Sequence, residues 1–171
     1  MASPVTAVAD ASFLIGVSVI NQWETLEALI ETLYVADEVW TEVVVRGIGK
    51  PGAKELLQAA FVTRRSVSNT QAVAMLTPTL DREEAETVVL AMELGVTTVF
   101  LDDRRGRKVA QSAGLQVTGI AGFLLFAKRS AKIEAVQPLL LQLHQKGFRL
   151  STKLIDAVSR QAGERPPQLT D

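Results

Sequence analysis

The chain has 171 residues, 47% of them hydrophobic and 22% charged, with a formal net charge of −1. That balance excludes a chain-wide basic nucleic-acid binder, so contact with a polyanion has to come from a local basic patch. There is no cysteine and one histidine, His144, so disulfides, thiolate nucleophiles and sulfur-held metals are excluded; a bound metal needs oxygen ligands, which suits Mg2+ or Mn2+.

Taken in order, "VTAVAD" (Val5–Asp10) is a short apolar run that ends in an acid, the pattern of a buried strand. "SFLIGVSVINQWETLEALIETL" follows with helical spacing, Leu26, Leu29, Ile30 and Leu33 sharing one face. "YVADEVW" is expected to be the second strand. "TEVVVRGIG" is expected to be a short helix stopped by Gly47 and Gly49, and "PGAKELLQAA" a helix opened by proline. "FVTRRSV" reads as the third strand. "DREEAETVVLAMELG" is the clearest helix: Asp81 is a cap, Glu84 stands three residues on, and Gly95 closes it.

"VTTVFL" is then a fourth strand, "RRGRKVAQSAG" a helix ended by Gly114, and "LQVTG" a fifth strand. The rest reads as helix: "IAGFLLFAKRS", "KIEAVQPLLLQLHQKG", and "STKLIDAVSRQAG" with Ser151 as its cap. Residues 1–163 are expected to form one domain, and the polar "ERPPQLTD" of 164–171 a disordered tail. "MASPVTAVAD" carries no basic stretch before a long apolar run, and no apolar segment reaches the ~18 residues of a membrane span. A cytoplasmic protein is therefore expected.

Alternating strands and helices imply an α/β domain with a parallel sheet, whose ligands bind beyond the carboxyl ends of the strands where strand order reverses. Asp10 ends the first strand, and Asp102 and Asp103 end the fourth. If those strands are neighbours, their carboxylates converge, and such crowding is relieved by a cation. Glu42, past the second strand, and Glu84 are further candidates. Each acid also has an ordinary use. Asp10 suits a turn or cap, Glu84 the partner of an Asp81 cap, either Asp102 or Asp103 the cap of the following helix, Glu42 a helix dipole, and Glu86 a solvated face with a smaller chance of being a ligand. Only their joint order argues for a site. Arg104, Arg105, Arg107 and Lys108 follow the acids directly and suit either phosphate binding or a solvated helix face. Lys128, Arg129, Lys132 and His144 read as surface groups, and Trp23, Trp40 and Phe148 as packing residues.

"VADASFLI", "VWTEVV", "LDREEAETVVLAMELG" and "TVFLDDRRGRKVA" occur in the order found in PIN domains. The chain resembles these metal-dependent ribonucleases over most of its length. It is most similar to a prokaryotic subfamily reading D-S-S-P-L-I, G-E-A-E-A and D-D-R-R-A-R, related to the toxins of toxin–antitoxin pairs. "GLQVTGIAGFLLFAKRSAKI" and "GFRLS" also match that subfamily. The resemblance implies a three-layer α/β/α fold with a parallel sheet of about five strands and a helical C-terminal extension. It implies metal ligands at Asp10, Glu84 and Asp102 or Asp103, with Glu42 joining the catalytic set, and Mg2+ or Mn2+ serving hydrolysis of RNA. Ser12 would stand near the metal, where toxins of this type carry a polar Asn or Thr, and Arg104, Arg105, Arg107 and Lys108 near substrate phosphates. A cognate antitoxin and a homodimer are the expected protein partners, and the apolar residues Leu139–Leu141 and Phe148 of the helical C-terminal part are candidates for dimerisation. The sequence departs from the pattern at Ala11, Phe13 and Glu83, which stand for Ser or Thr, Pro and Gly; none of these removes a carboxylate. Two other readings are open: a catalytically weak binding module on the same fold, and a response-regulator receiver. The receiver is disfavoured because the paired acids follow the fourth strand and "LQVTG" has no lysine.

Overall fold

The computed structural model describes residues 4–168. Five parallel strands form one sheet in the order β3-β2-β1-β4-β5: β1 Val5–Ala9, β2 Ile30–Ala36, β3 Val62–Arg65, β4 Thr98–Phe100 and β5 Gln116–Thr118. Strand order reverses between β1 and β4, so the crevice for a ligand opens there. Ala7, Val8 and Ala9 of β1 are fully buried, as befits a central strand covered on both faces.

Helix α6 (Arg82–Leu94) lies against β1, β2 and β4, and α3 (Asp37–Trp40), α5 (Thr70–Leu76) and α7 (Arg104–Ser112) pack on it. The opposite layer holds α1 (Ala11–Val19), α2 (Trp23–Leu29) and α8 (Ile120–Arg129), with α9 (Gln137–Gln145) and α10 (Thr152–Gln161) packed outside α8. α4 (Ala53–Gln58) rests on the wider turn Thr41–Val45 that prolongs α3. Three rings join sheet to helices. Phe13 stacks on Phe100 with centroids 4.3 Å apart, and Phe123 of α8 meets both edge-on.

The local signals account for most elements. Gly95 adopts the left-handed conformation (φ 65°) that ends α6, and Ser151 accepts from the Leu154 N–H to open α10. Three boundaries depart from the sequence reading. The helix expected to run from α1 through Leu33 breaks twice: Leu26 and Leu29 lie on α2, while Ile30 and Leu33 lie on β2. Leu26, Ile30 and Leu33 all point into the core, so helical spacing and burial coincide across a helix-to-strand switch. The second strand accordingly ends at Ala36, and Asp37–Trp40 is helical. The helix expected from Lys132 begins only at Gln137, and α5 was not anticipated at all.

Glu164 accepts from the backbone N–H groups of Val136 and Gln137 and pairs with Lys128 Nζ at 2.7 Å. Of the segment 164–171 expected to be disordered, residues 169–171 lie outside the described residues.

Candidate active site

Asp10 follows β1 directly. Its backbone N–H donates to Phe100 O, which continues the β1–β4 ladder by one step. The chain then turns into α1, and Asp10 Oδ1 caps that helix by accepting from the Phe13 N–H at 2.8 Å. The other carboxylate oxygen, Oδ2, is buried and has no hydrogen-bond partner. A buried polar atom left without a partner costs free energy, the more so on an ionised group. Burial first, and then the charge of Glu83, hold the Asp10 carboxyl well above its usual range. Asp102 and Glu84 add to this, against the favourable Phe13 N–H bond.

Asp102 follows the neighbouring strand. Its Oδ1 accepts from the Ile120 N–H at 2.9 Å and so opens α8. Burial raises its pKa, opposed by that N–H and by the Arg107 guanidinium. Asp103 is exposed and caps α7 through Oδ2, which accepts from the Arg105 and Gly106 N–H groups. The two adjacent aspartates are thus divided: the half-buried one opens α8 and adds its charge to Asp10's surroundings, and the exposed one opens α7.

The third contribution comes from the start of α6. Glu84 Oε2 accepts from the Asp81 N–H at 3.2 Å. Burial, with the charges of Asp81 and Asp103, pushes Glu84 up to about 7, despite that bond and nearby Arg105. Glu83 was not among the site residues expected from the sequence. Its Oε2 reaches across the sheet edge to accept from the Ala11 N–H at 3.2 Å, and burial pushes it up to about 8. Asp81, Glu83 and Glu84 each bring an oxygen within 4.8 Å of the others. The charges of Glu84, Asp81 and Glu42 also raise Glu83. Glu42 is otherwise half-exposed and pairs with Arg46 at 3.5 Å. Glu86 is buried, but both its oxygens are engaged: Oε2 accepts from the Glu38 N–H and Oε1 from Arg82 Nε.

These acids adjoin a cleft of about 870 Å3. Ser12, Asp81, Glu84, Asp102 and Asp103 line it, as do Arg104 and Arg107. Arg105 and Lys108 are exposed and do not line it. Gly119 is required by space. A Cβ there would come within 2.6 Å of Asp102 Oδ1 and 2.8 Å of Arg107 Nη1. The apolar residues suggested for self-association face inward: Leu140 is fully buried, and Leu139, Leu141 and Phe148 pack against the core. Among the exposed apolar side chains, Val45, Ile48 and Leu57 gather around a shallow trough by α4, while Phe126 and Leu154 are exposed on α8 and α10.

The donor set is all oxygen, it is crowded with like charge, and one buried oxygen lacks a partner. Such a set suits a hard divalent cation; the acids whose oxygens lie within 4.8 Å of one another are Asp81, Glu83 and Glu84, and Asp10, which carries the orphaned oxygen, stands outside that trio. An all-parallel α/β domain with an acidic centre at its switch point is the class these observations define. A family model described as a PIN domain matches residues 6–164, and the chain belongs to that family. PIN domains have a nuclease-type fold, generally use divalent metals and interact with nucleic acid, RNA in general. No curated protein matches the chain. Among the described residues, no helix is long and apolar enough to cross a membrane.

Proposed function

We propose that this chain is a divalent-metal-dependent ribonuclease that hydrolyses phosphodiester bonds at the β1–β4 crevice. The observation that carries the reading is Asp10 Oδ2, a buried carboxylate oxygen without a partner among other carboxylates. Asp10, Glu84 and Asp102 would hold Mg2+ or Mn2+, with Glu83 beside them and Asp103 and Glu42 at the rim. When bound, such a cation supplies Lewis-acid activation of water and neutralises charge on the phosphate.

The chain's own residues do the remaining work. Asp10, Asp102 and Glu84 each spend one oxygen on a backbone N–H, which fixes the carboxyl group's orientation. The N-termini of α7 and α8 are capped by Asp103 and Asp102, so they offer little to a phosphate. Arg104 and Arg107, on the rim beside the acids, are the groups to hold the substrate's phosphates. Ser12, exposed at the start of α1, contributes a hydroxyl to the same opening.

The test is cleavage of a labelled oligoribonucleotide in Mn2+, with Asp10→Asn beside the wild type. Cleavage lost in the variant at an unchanged melting temperature supports the reading, and a wild type inert in both Mn2+ and Mg2+ removes it. The finer biological role follows the family: a toxin held by a cognate antitoxin, acting as a homodimer in the cytoplasm. Growth arrest on expression, relieved by Asp10→Asn, tests the toxin role.

A further inference from the structure

The cleft beside the acids has a second wall that the metal and its rim arginines do not explain. It is built by the connection between α9 and α10, where Lys146, Phe148 and Arg149 line the same cleft as Arg104 and Arg107. This connection is firmly held. The Phe148 N–H donates to Leu143 O, and His144 Nδ1 meets Leu150 O at 3.0 Å. The Phe148 ring lies against α1, so close that a Cβ on Gly16 would meet its Cε1 at 3.2 Å. The wall is therefore registered to the helix that Asp10 opens and Ser12 begins. Lys146 and Arg149 are exposed on it and make no ion pair among the described residues, so both are available to an anion in the cleft.

We propose that Lys146 and Arg149 bind backbone phosphates of the nucleic-acid strand that enters this cleft, and so position the nucleotides next to the one cleaved. The proposal rests on the ribonuclease reading for its substrate class. Two features favour a nucleic-acid strand over a small anion. One cleft is lined by four bases, Arg104, Arg107, Lys146 and Arg149, together with the exposed apolar side chain of Leu154, so it offers several phosphate contacts and an apolar surface for a base. The helix N-termini that would otherwise catch a single phosphate are already capped by Asp102 and Asp103. Lys146 and Arg149 act on the substrate's position; neither is a metal ligand.

The experiment is fluorescence anisotropy of a labelled single-stranded oligoribonucleotide, with Ca2+ in place of Mn2+, titrated from 50 to 200 mM salt. The full chain is compared with Lys146→Ala plus Arg149→Ala, and with Lys50→Ala plus Lys54→Ala as a charge-matched control away from the cleft. Loss of two phosphate contacts to a single strand lowers the slope of log affinity against log salt by about 1.4. Over that fourfold range the wild type then loses about sevenfold more affinity than the variant. An unchanged slope, or an equal drop in the control, overturns the assignment, as does a wild type that does not bind the strand. Cleavage in Mn2+, measured on the same proteins, separates this from the reading beneath it. A wild type that binds with the expected slope difference but does not cleave removes the nuclease reading alone. A wild type that cleaves while the double variant cleaves equally well at sub-saturating RNA overturns this proposal alone.

Discussion

Replacing Glu83 with Gln should flatten the pH dependence of stability in the metal-free protein. Gln keeps an oxygen for the Ala11 N–H and removes the proton equilibrium. In the folded chain burial raises Glu83 from 4.5 to about 8, with crowding by Glu84 adding to it. Below pH 4.5 the group is protonated folded or unfolded and contributes nothing. Between 4.5 and 8 the folded chain keeps the proton and the unfolded chain releases it, so rising pH favours unfolding. Above 8 the penalty is complete. From pH 4.5 to 7 the span is about 2.5 pH units, and at ~1.4 kcal/mol per unit this is about 3 kcal/mol of stability lost through one group. For a chain of this size that corresponds to about 6–12 °C in melting temperature. The assay is thermal denaturation in chelator at pH 5, 6, 7 and 8 for wild type and Glu83→Gln. The variant's advantage should be smallest at pH 5, about a quarter of its value at pH 7, and grow with pH. A difference that stays constant, or shrinks, would refute the account of Glu83 as a buried carboxyl in a crowded acidic centre. Added Mn2+ should stabilise the wild type most at the alkaline end, where the carboxylates are ionised and free to bind it.

Asp10→Asn should abolish Mn2+-dependent cleavage and leave the melting temperature equal or higher, because Asn caps a helix about as well as Asp and the crowded charge is gone; loss of activity through unfolding would count against a ligand role. Gly119→Ala should cut activity at least tenfold by displacing Asp102 and Arg107 from their contacts, with rates in Mn2+ as the measure; an unimpaired enzyme would show that neither side chain needs its place. Arg104→Ala plus Arg105→Ala should weaken RNA binding and lower its salt slope with metal binding intact. Arg104 lines the cleft and Arg105 does not, so Arg104→Ala alone should account for most of the change. Calorimetric Mn2+ affinity should rise from pH 6 to 8 with release of protons, since Glu83 and Glu84 hold protons near neutrality without metal; pH-independent binding would place the ion elsewhere.

Much of the fold could be read from capping chemistry and glycine. Asp81 and Gly95 bracket α6 and Ser151 opens α10, each at its expected place, and of the two aspartates that could open α7 it is Asp103 that does. Periodicity failed where two elements bury the same kind of residue in succession. Ile30 ends the helical phase of α2 at φ −116°, yet it is as buried as Leu26, and no Pro or Gly marks the change. The signal for α5 was present in Asn69, whose side chain accepts from the Ala72 N–H. It was short and polar enough to pass for a loop. The convergence of Asp10 and Asp102 was legible because parallel α/β topology puts strand ends together. Glu83 was not legible. The capping pattern selects Glu84, and the bond from the Ala11 N–H to Glu83 joins residues 72 apart in sequence.

The acids of this site looked ambiguous from sequence because each had a structural use as good as its chemical one. Counting oxygens removes the conflict. A carboxylate has two, and a cap takes one. Asp10 gives Oδ1 to α1 and keeps Oδ2; Asp102 gives Oδ1 to α8; Glu84 gives Oε2 to the Asp81 N–H. Among the described residues, no hydrogen bond reaches the other oxygen of any of the three. Glu86 shows the contrast, since both its oxygens are taken and nothing remains for a metal. The caps also explain how a buried acidic cluster survives in the free protein. Each N–H bond favours the charged form of its carboxyl, opposing the burial and mutual repulsion that raise it. The same bonds fix where the second oxygen points. The helix starts at the carboxyl edge of the sheet thus aim the acids as well as terminate loops. A substitution that spares the carboxylates but breaks a cap, such as proline at Phe13, should therefore disorder the centre as surely as losing Asp10 itself.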